Sequence, residues 1–193
     1  MVHVLRDFEH AAIGRVAVAA SHLDAVIELF LADSITHDPQ VGVIVVKGMP
    51  FERKLDMLVA ILAVRLPESE DRAELQPLLE EAKKLMQRRN DYLHGLWQFD
   101  ADANLEVRTR VRKTGAFQAN SVSADGLNGV ADRIEIVAAA IEDAYLDMLV
   151  DIGVYVPQSP GVWTRVPVHR PHGIVLDETG ASGLLVDFRN VEG

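Results

Sequence analysis

The sequence predicts a mainly α-helical protein: a four-helix antiparallel bundle with a small β-hairpin inserted between its third and fourth helices and an irregular C-terminal arm. Two observations predict it. Four long segments place apolar residues three or four positions apart, the spacing that gives a helix one buried face. Between the third and fourth of them the period drops to two, the spacing of a half-buried strand.

The first helix is expected from about Asp7 to Ser34, where Ile13, Val16, Ala20, Leu23, Ile27 and Phe30 share a face. After it come Asp38, Pro39, Gly42 and Gly48 around the apolar run Val43 to Val46, which reads as a short strand or a packed loop. Pro50 suits the first position of a second helix, whose stripe of Phe51, Leu55, Leu58 and Leu62 continues to about Arg65 before Pro67 stops it. Ser69, followed by Glu70 and Asp71, is an N-cap with acids in the first turn and opens a third helix ending near Leu96. Pro77, inside that stretch, predicts a kink or a break.

Beyond Gly95, Leu105, Val107, Thr109 and Val111 alternate with Glu106, Arg108, Arg110 and Arg112, so one side of this strand is apolar and the other is rich in arginine. Trp97 to Phe99 is its expected partner, with Ala101 to Asn104 as the turn. Gly115 to Ser123 reads as a polar loop. The fourth helix runs from Ser123 to about Ile152, with Leu127, Val130, Ile134, Val137, Ile141, Tyr145 and Met148 on one face and Gly153 as its stop. The remaining residues hold four of the chain's eight prolines and two short apolar runs, Gly173 to Leu176 and Leu184 to Phe188. The chain therefore divides into a helical bundle at 1–153, with its β-insertion at about 97–113, and an arm of loops and short strands at 154–193.

Composition narrows the function. The chain has 193 residues, 49% of them hydrophobic, enough for one good core. It has no cysteine, which excludes disulfides, thiolate metal sites and a cysteine nucleophile and fits a reducing cytoplasm. The longest apolar run, Met57 to Val64, is too short to cross a bilayer, and Arg6, Asp7 and Glu9 stand where a signal peptide needs an apolar core, so neither insertion nor secretion is expected. A formal net charge of -10 opposes coating of nucleic acid by the whole surface; any such contact must be local. His169 and His172 have no nearby third ligand, and no HExxH pattern occurs, so neither a metal nor a cofactor is expected.

The densest chemistry lies in Arg89, Asn90, Asp91, Tyr92, Leu93 and His94, near the end of the third helix. Its core positions read Leu75, Leu78 or Leu79, Ala82, Leu85 or Met86, and then Arg89, a charge where the repeat asks for an aliphatic side chain. A helical bundle whose third helix ends in this way resembles the HEPN superfamily, whose shared motif is an Arg followed after four to six residues by a His, often with Asn directly after the Arg. Arg89, Asn90 and His94 match it, and the resemblance covers roughly residues 7 to 152. Spacing is not what singles out Arg89, since Arg15 to His22, Arg88 to His94 and Arg165 to His172 also satisfy it. The distinguishing features are Asn90 and the position at the end of the third helix.

The resemblance implies a metal-independent endoribonuclease, of the kind found among toxins and phage-defence effectors, with a composite active site at a homodimer interface. It also implies a possible antitoxin or nucleotidyltransferase partner. Such chemistry needs a base for the ribose 2'-hydroxyl, an acid for the leaving 5'-oxygen, and positive charge at the phosphate. An imidazole titrates near pH 6.5 and can fill either proton-transfer role. Arg89 can grip a phosphate with its planar fork, and Asn90, four residues before His94, can orient imidazole or phosphate. Arg89 and His94 stand roughly 140° apart around an ideal helix, an awkward site in one copy that a two-fold axis would complete. Arg88 with Arg108, Arg110, Arg112 and Lys113 offers a local surface for single-stranded RNA. Two other readings stay open: a non-catalytic HEPN-like RNA-binding or scaffolding module whose motif is a structural dimer-interface network, and a small-molecule binder using the bundle interior.

Overall fold

The first apolar stripe becomes α1, Asp7–Ile35, in the computed structural model of the chain, which describes residues 5–67, 69–102, 104–111, 114–159, 162–166, 174–175 and 185–186. Arg6 fixes the start of α1: its backbone N–H donates to the Glu9 carboxylate at 2.7 Å and its Nε at 3.0 Å. The Arg6 side chain, above all, holds the Glu9 carboxyl below its ordinary value. One face of α1 is then buried from Ala12 through Val16, Leu23 and Ile27 to Phe30 and Leu31.

The run after α1 is neither strand nor loop but a second helix, α2, Pro39–Val46. Its β-branched residues favour a strand, yet the start signal wins. Asp38 accepts from the backbone N–H of Gln40 at 3.0 Å and Pro39 occupies the first helical position, so the orphan donors of the first turn are met. Gly42 lets α2 sit against α1, because a Cβ there would lie 2.5 Å from the Ala32 carbonyl oxygen.

The remaining helices fall close to their expected bounds. α3 spans Phe51–Arg65, α4 spans Glu70–His94 and α5 spans Ala124–Asp151. Ser69 and Ser123 cap α4 and α5, accepting from the N–H groups of Arg72 and Gly126. Gly153, at φ 76°, follows α5 as its stop. α4 runs through Pro77 without a break; Pro77 is exposed, where water can take the carbonyl that proline leaves without a donor.

α1 packs on each of the other four helices, most extensively on α5, and α4 also touches α3 and α5. The buried faces meet in one core, where α1 supplies Leu23, Ile27 and Phe30, α3 Leu58 and Leu62, α4 Leu75 and Leu79, and α5 Ile134, Val137 and Ile141. Ion pairs trim the surface between helices: Arg15 to Asp132 at 2.7 Å, Arg133 to Glu81 at 2.6 Å and Lys83 to Asp56 at 3.2 Å. Such exposed pairs add little, because water and salt screen them.

The insertion between α4 and α5 is larger than a hairpin. β1, Leu96–Phe99, and β2, Leu105–Arg110, form the expected pair, with Trp97 opposite Val107. β3, Phe117–Ser121, in the stretch expected to be loop, adds a third antiparallel strand to β2. All five of its side chains are exposed, so it has no buried face to leave an alternating signature; backbone pairing holds it. Among the described residues beyond α5, β4, Tyr155–Ser159, pairs with β5, Val162–Arg165, and β6, Ile174–Val175, pairs with β7, Leu185–Val186, all antiparallel.

The β4–β5 hairpin is fastened to the helices through Arg165. Its guanidinium donates to the Asp33 carboxylate near the end of α1 and to the His37 carbonyl at 3.2 Å, and it lies over the Tyr155 ring. The second oxygen of Asp33 accepts from the Tyr145 hydroxyl of α5 at 2.9 Å, and burial together with that carboxylate raises the phenol far above its ordinary range. Val154, just past α5, is fully buried in the same core.

Two outcomes test this account. Arg165→Ala leaves Asp33, whose side chain is only 8% exposed, with Tyr145 as its remaining partner among the described residues, and should cost about 3 kcal/mol in urea unfolding at pH 7. Tyr145→Phe should cost nearer 1 kcal/mol, and equal losses would contradict the ion pair as the dominant contact. For Glu9 the folded carboxyl is depressed, so the stability it contributes is present above the unfolded value near pH 4.3 and is lost as pH falls through the folded one. Between pH 6 and pH 3 the wild type should therefore lose more stability than Glu9→Gln.

Candidate functional site

The end of α4 is set by a tight junction. Gly95 caps the helix where a Cβ would lie 2.3 Å both from the Asp91 carbonyl oxygen and from a methyl of Val107, so the chain turns into β1 with β2 pressed against it. His94 is the last residue of α4 and is exposed, and its side chain forms no hydrogen bond or ion pair among the described residues. Two residues on, Leu96 pairs with Arg108 across the β1–β2 ladder, which brings the arginine-bearing strand to the helix end.

That strand alternates as the sequence indicates. Leu105 and Val107 are buried while Arg108 and Arg110 are exposed. Arg88 is also exposed. Arg112 and Lys113, expected to extend the same surface, lie outside the described residues, as do His169 and His172.

Arg89 follows the core residues Leu75, Leu79, Ala82 and Met86 on the α4 stripe and is half-buried. Its Nε is enclosed without a hydrogen-bond partner among the described residues, while Nη1 donates to Oδ1 of Asn90 at 2.9 Å. Asn90 itself is exposed. The polar bond of Arg89 thus stays within its own helix and does not fasten α4 to a neighbour. Lost hydration raises the Asp91 carboxyl above its ordinary value. Tyr92 and Trp97 pack together, with ring centroids 6.3 Å apart and the indole N–H donating to the Tyr92 carbonyl at 2.9 Å.

Arg89 and Asn90 form one rim of an open groove of about 440 Å³ between α1, α4 and the start of α3. Asp24 of α1, Phe51 and Glu52 of α3, and Met86 of α4 line it as well. His94 is not among its lining residues, so within one chain the structure brings Arg89 together with Asn90 and leaves His94 on the helix end beside it. Lys54, 2% exposed, donates to the groove-lining Asp24 at 2.9 Å and to Glu28. Burial alone would lower the Lys54 ammonium, but Glu28 and Asp24 more than offset it and its pKa lies above the ordinary value.

Sequence reasoning missed this groove and the cation paired with its Asp24. The one available signal was Asp24 and Glu28, four apart on α1 and therefore on one side of the helix, waiting for a positive partner. No known protein family, curated protein or solved structure matches the chain.

The junction at Gly95 is open to a direct check. Gly95→Ala forces backbone and the Val107 side chain apart, and should cost on the order of 1 to 3 kcal/mol, whereas alanine at exposed Asn90 should shift stability by less than about 0.5 kcal/mol. Equal melting temperatures for the two variants would show that the α4–β2 contact is not tight.

Proposed function

We propose that the chain is a metal-independent endoribonuclease of HEPN type, built as a four-helix antiparallel bundle and acting as a homodimer in the cytoplasm. The observation that carries this reading is the state of the motif side chains. A structural network would tie α4 to other helices. Instead, among the described residues, the Arg89 side chain bonds only to adjacent Asn90, and Asn90 and His94 are exposed. These groups are left uncommitted to other helices, and so remain available to a phosphate.

In the proposed reaction the ribose 2'-oxygen attacks phosphorus, the bond to the 5'-oxygen breaks, and the products are a 2',3'-cyclic phosphate and a 5'-hydroxyl. His94 of one chain takes the 2'-proton and the copy on the second chain supplies a proton to the leaving oxygen. The Arg89 forks hold the non-bridging oxygens as charge builds on them. Exposed Arg88, Arg108 and Arg110 hold the flanking RNA, and Arg112 and Lys113 belong to the same proposed surface. A repressing partner is expected for such an activity, an antitoxin or a nucleotidyltransferase. The second reading, a scaffolding or RNA-binding module without catalysis, draws on the unpartnered Arg89 Nε, which a partner chain could satisfy structurally.

Single-stranded RNA incubated with the protein in EDTA decides between them. Cleavage should persist and leave 2',3'-cyclic phosphate ends; His94→Ala and Arg89→Ala should each lower the rate by about 100-fold or more, and Asn90→Ala by less. Light scattering should give about twice the 21.2 kDa chain mass, for wild type and variants alike. Wild-type protein that leaves RNA intact, together with variants that only melt earlier, would replace the nuclease with the scaffold.

A further inference from the structure

We infer that the groove beside Arg89 is a base-binding site selective for guanine. The inference rests on the nuclease reading only for where the scissile phosphate lies; the groove's own chemistry stands apart from it. A volume of about 440 Å³ falls within the roughly 300–1,000 Å³ of small-molecule sites. Arg89 and Asn90, which suit a phosphate, share the groove's lining with Met86 and Phe51 and with the carboxylates Asp24 and Glu52. A nucleotide whose phosphate meets Arg89 therefore has an aromatic ring and an acid in the same groove for its base. Unstacked RNA bases are read in this manner, by stacking on aromatic side chains and by hydrogen bonds to the Watson–Crick edge.

The acid selects the base. Asp24 already accepts from Lys54, whereas Glu52, exposed in the first turn of α3, has no partner among the described residues. An ionised carboxylate offers only acceptors. Guanine presents two adjacent donors, N1–H and the 2-amino group, which match its two oxygens in a bidentate pair. Adenine and cytosine set a ring-nitrogen acceptor beside their amino donor, and uracil flanks its single N–H with two carbonyls, so each would place a lone pair against the carboxylate. Glu52 is the specificity-determining residue and Phe51 the stacking surface.

The test is calorimetric titration of the wild-type protein with the four nucleoside 3'-monophosphates, which needs no cleavage. Guanosine 3'-monophosphate should bind at least about tenfold more tightly than the other three. Glu52→Gln should erase that preference while leaving the other three within twofold, and Phe51→Leu, which keeps apolar bulk in a partly buried position, should weaken all four together. Circular dichroism of both variants establishes that they are folded. Equal affinity for the four nucleotides, no binding at millimolar concentration, or a guanine preference that survives Glu52→Gln would overturn the inference. Guanine-selective binding by a protein that cuts no RNA would sink the nuclease reading alone, and RNA cleavage without selective binding would sink the groove assignment alone.

Discussion

Every helix of the described chain leans on one buried face of α1, and that shared contact is the constraint from which the fold follows. Leu23, Ile27, Phe30 and Leu31 are fully buried on it, each contributing about 1.5 to 3 kcal/mol as an upper estimate, and Ala12, Ala19 and Ala20 keep it narrow where other elements approach. The same helix supplies the floor of the groove. Ala20, Ser21 and Asp24 of α1 line the open space beside Arg89 together with residues of α3 and α4. Phe30 and Asp33 then meet Tyr145 from α5, and Asp33 meets Arg165, so the end of α1 also anchors the β4–β5 hairpin.

The elements legible in the sequence were those with one wet face and one dry one. α1, α3, α4 and α5 bury a stripe and expose the rest, so a period of 3.6 survives in their residues, and caps at Ser69 and Ser123 mark two of the starts. β2 buries Leu105 and Val107 and exposes Arg108 and Arg110, so its period of two survives as well. The failures share a cause. β3 is exposed on both sides and α2 is apolar on nearly all sides, so neither carries a two-tone pattern; α2 was readable only through Asp38 and Pro39, and propensity in Val43 to Val46 pointed the other way.

For the candidate site the division is similar. Arg89 stood out because it breaks a stripe, and the structure finds it half-buried at that position with Asn90 as its partner. The strand arginines stood out through alternation. The groove had no linear signature, because residues near positions 20, 50 and 88 build it together and Phe51 and Glu52 look locally like an ordinary first helical turn. Asp33 and Arg165 are likewise 132 residues apart. Contacts of that kind belong to the packing of whole helices, which no local window contains.

The distribution of charge reconciles an acidic chain with the anionic ligand proposed for it. Arg6, Arg15, Arg133 and Arg165 are each committed to a carboxylate, and Lys54 is committed to two. Arg88, Arg108 and Arg110 form no ion pair among the described residues, and the pairing of Leu96 with Arg108 brings Arg108 to the end of α4. At physiological salt a charge is felt over about 8 Å, so a phosphate at the end of α4 responds to these arginines far more than to acids on the opposite side of the molecule. The net charge of -10 then acts mainly at long range, slowing the approach of a polyanion without deciding its fate once docked. Around the groove the same logic runs inward: Lys54 offsets Asp24 and Glu28, while Glu52 lines the same groove as Arg89 and keeps both of its oxygens without a partner among the described residues.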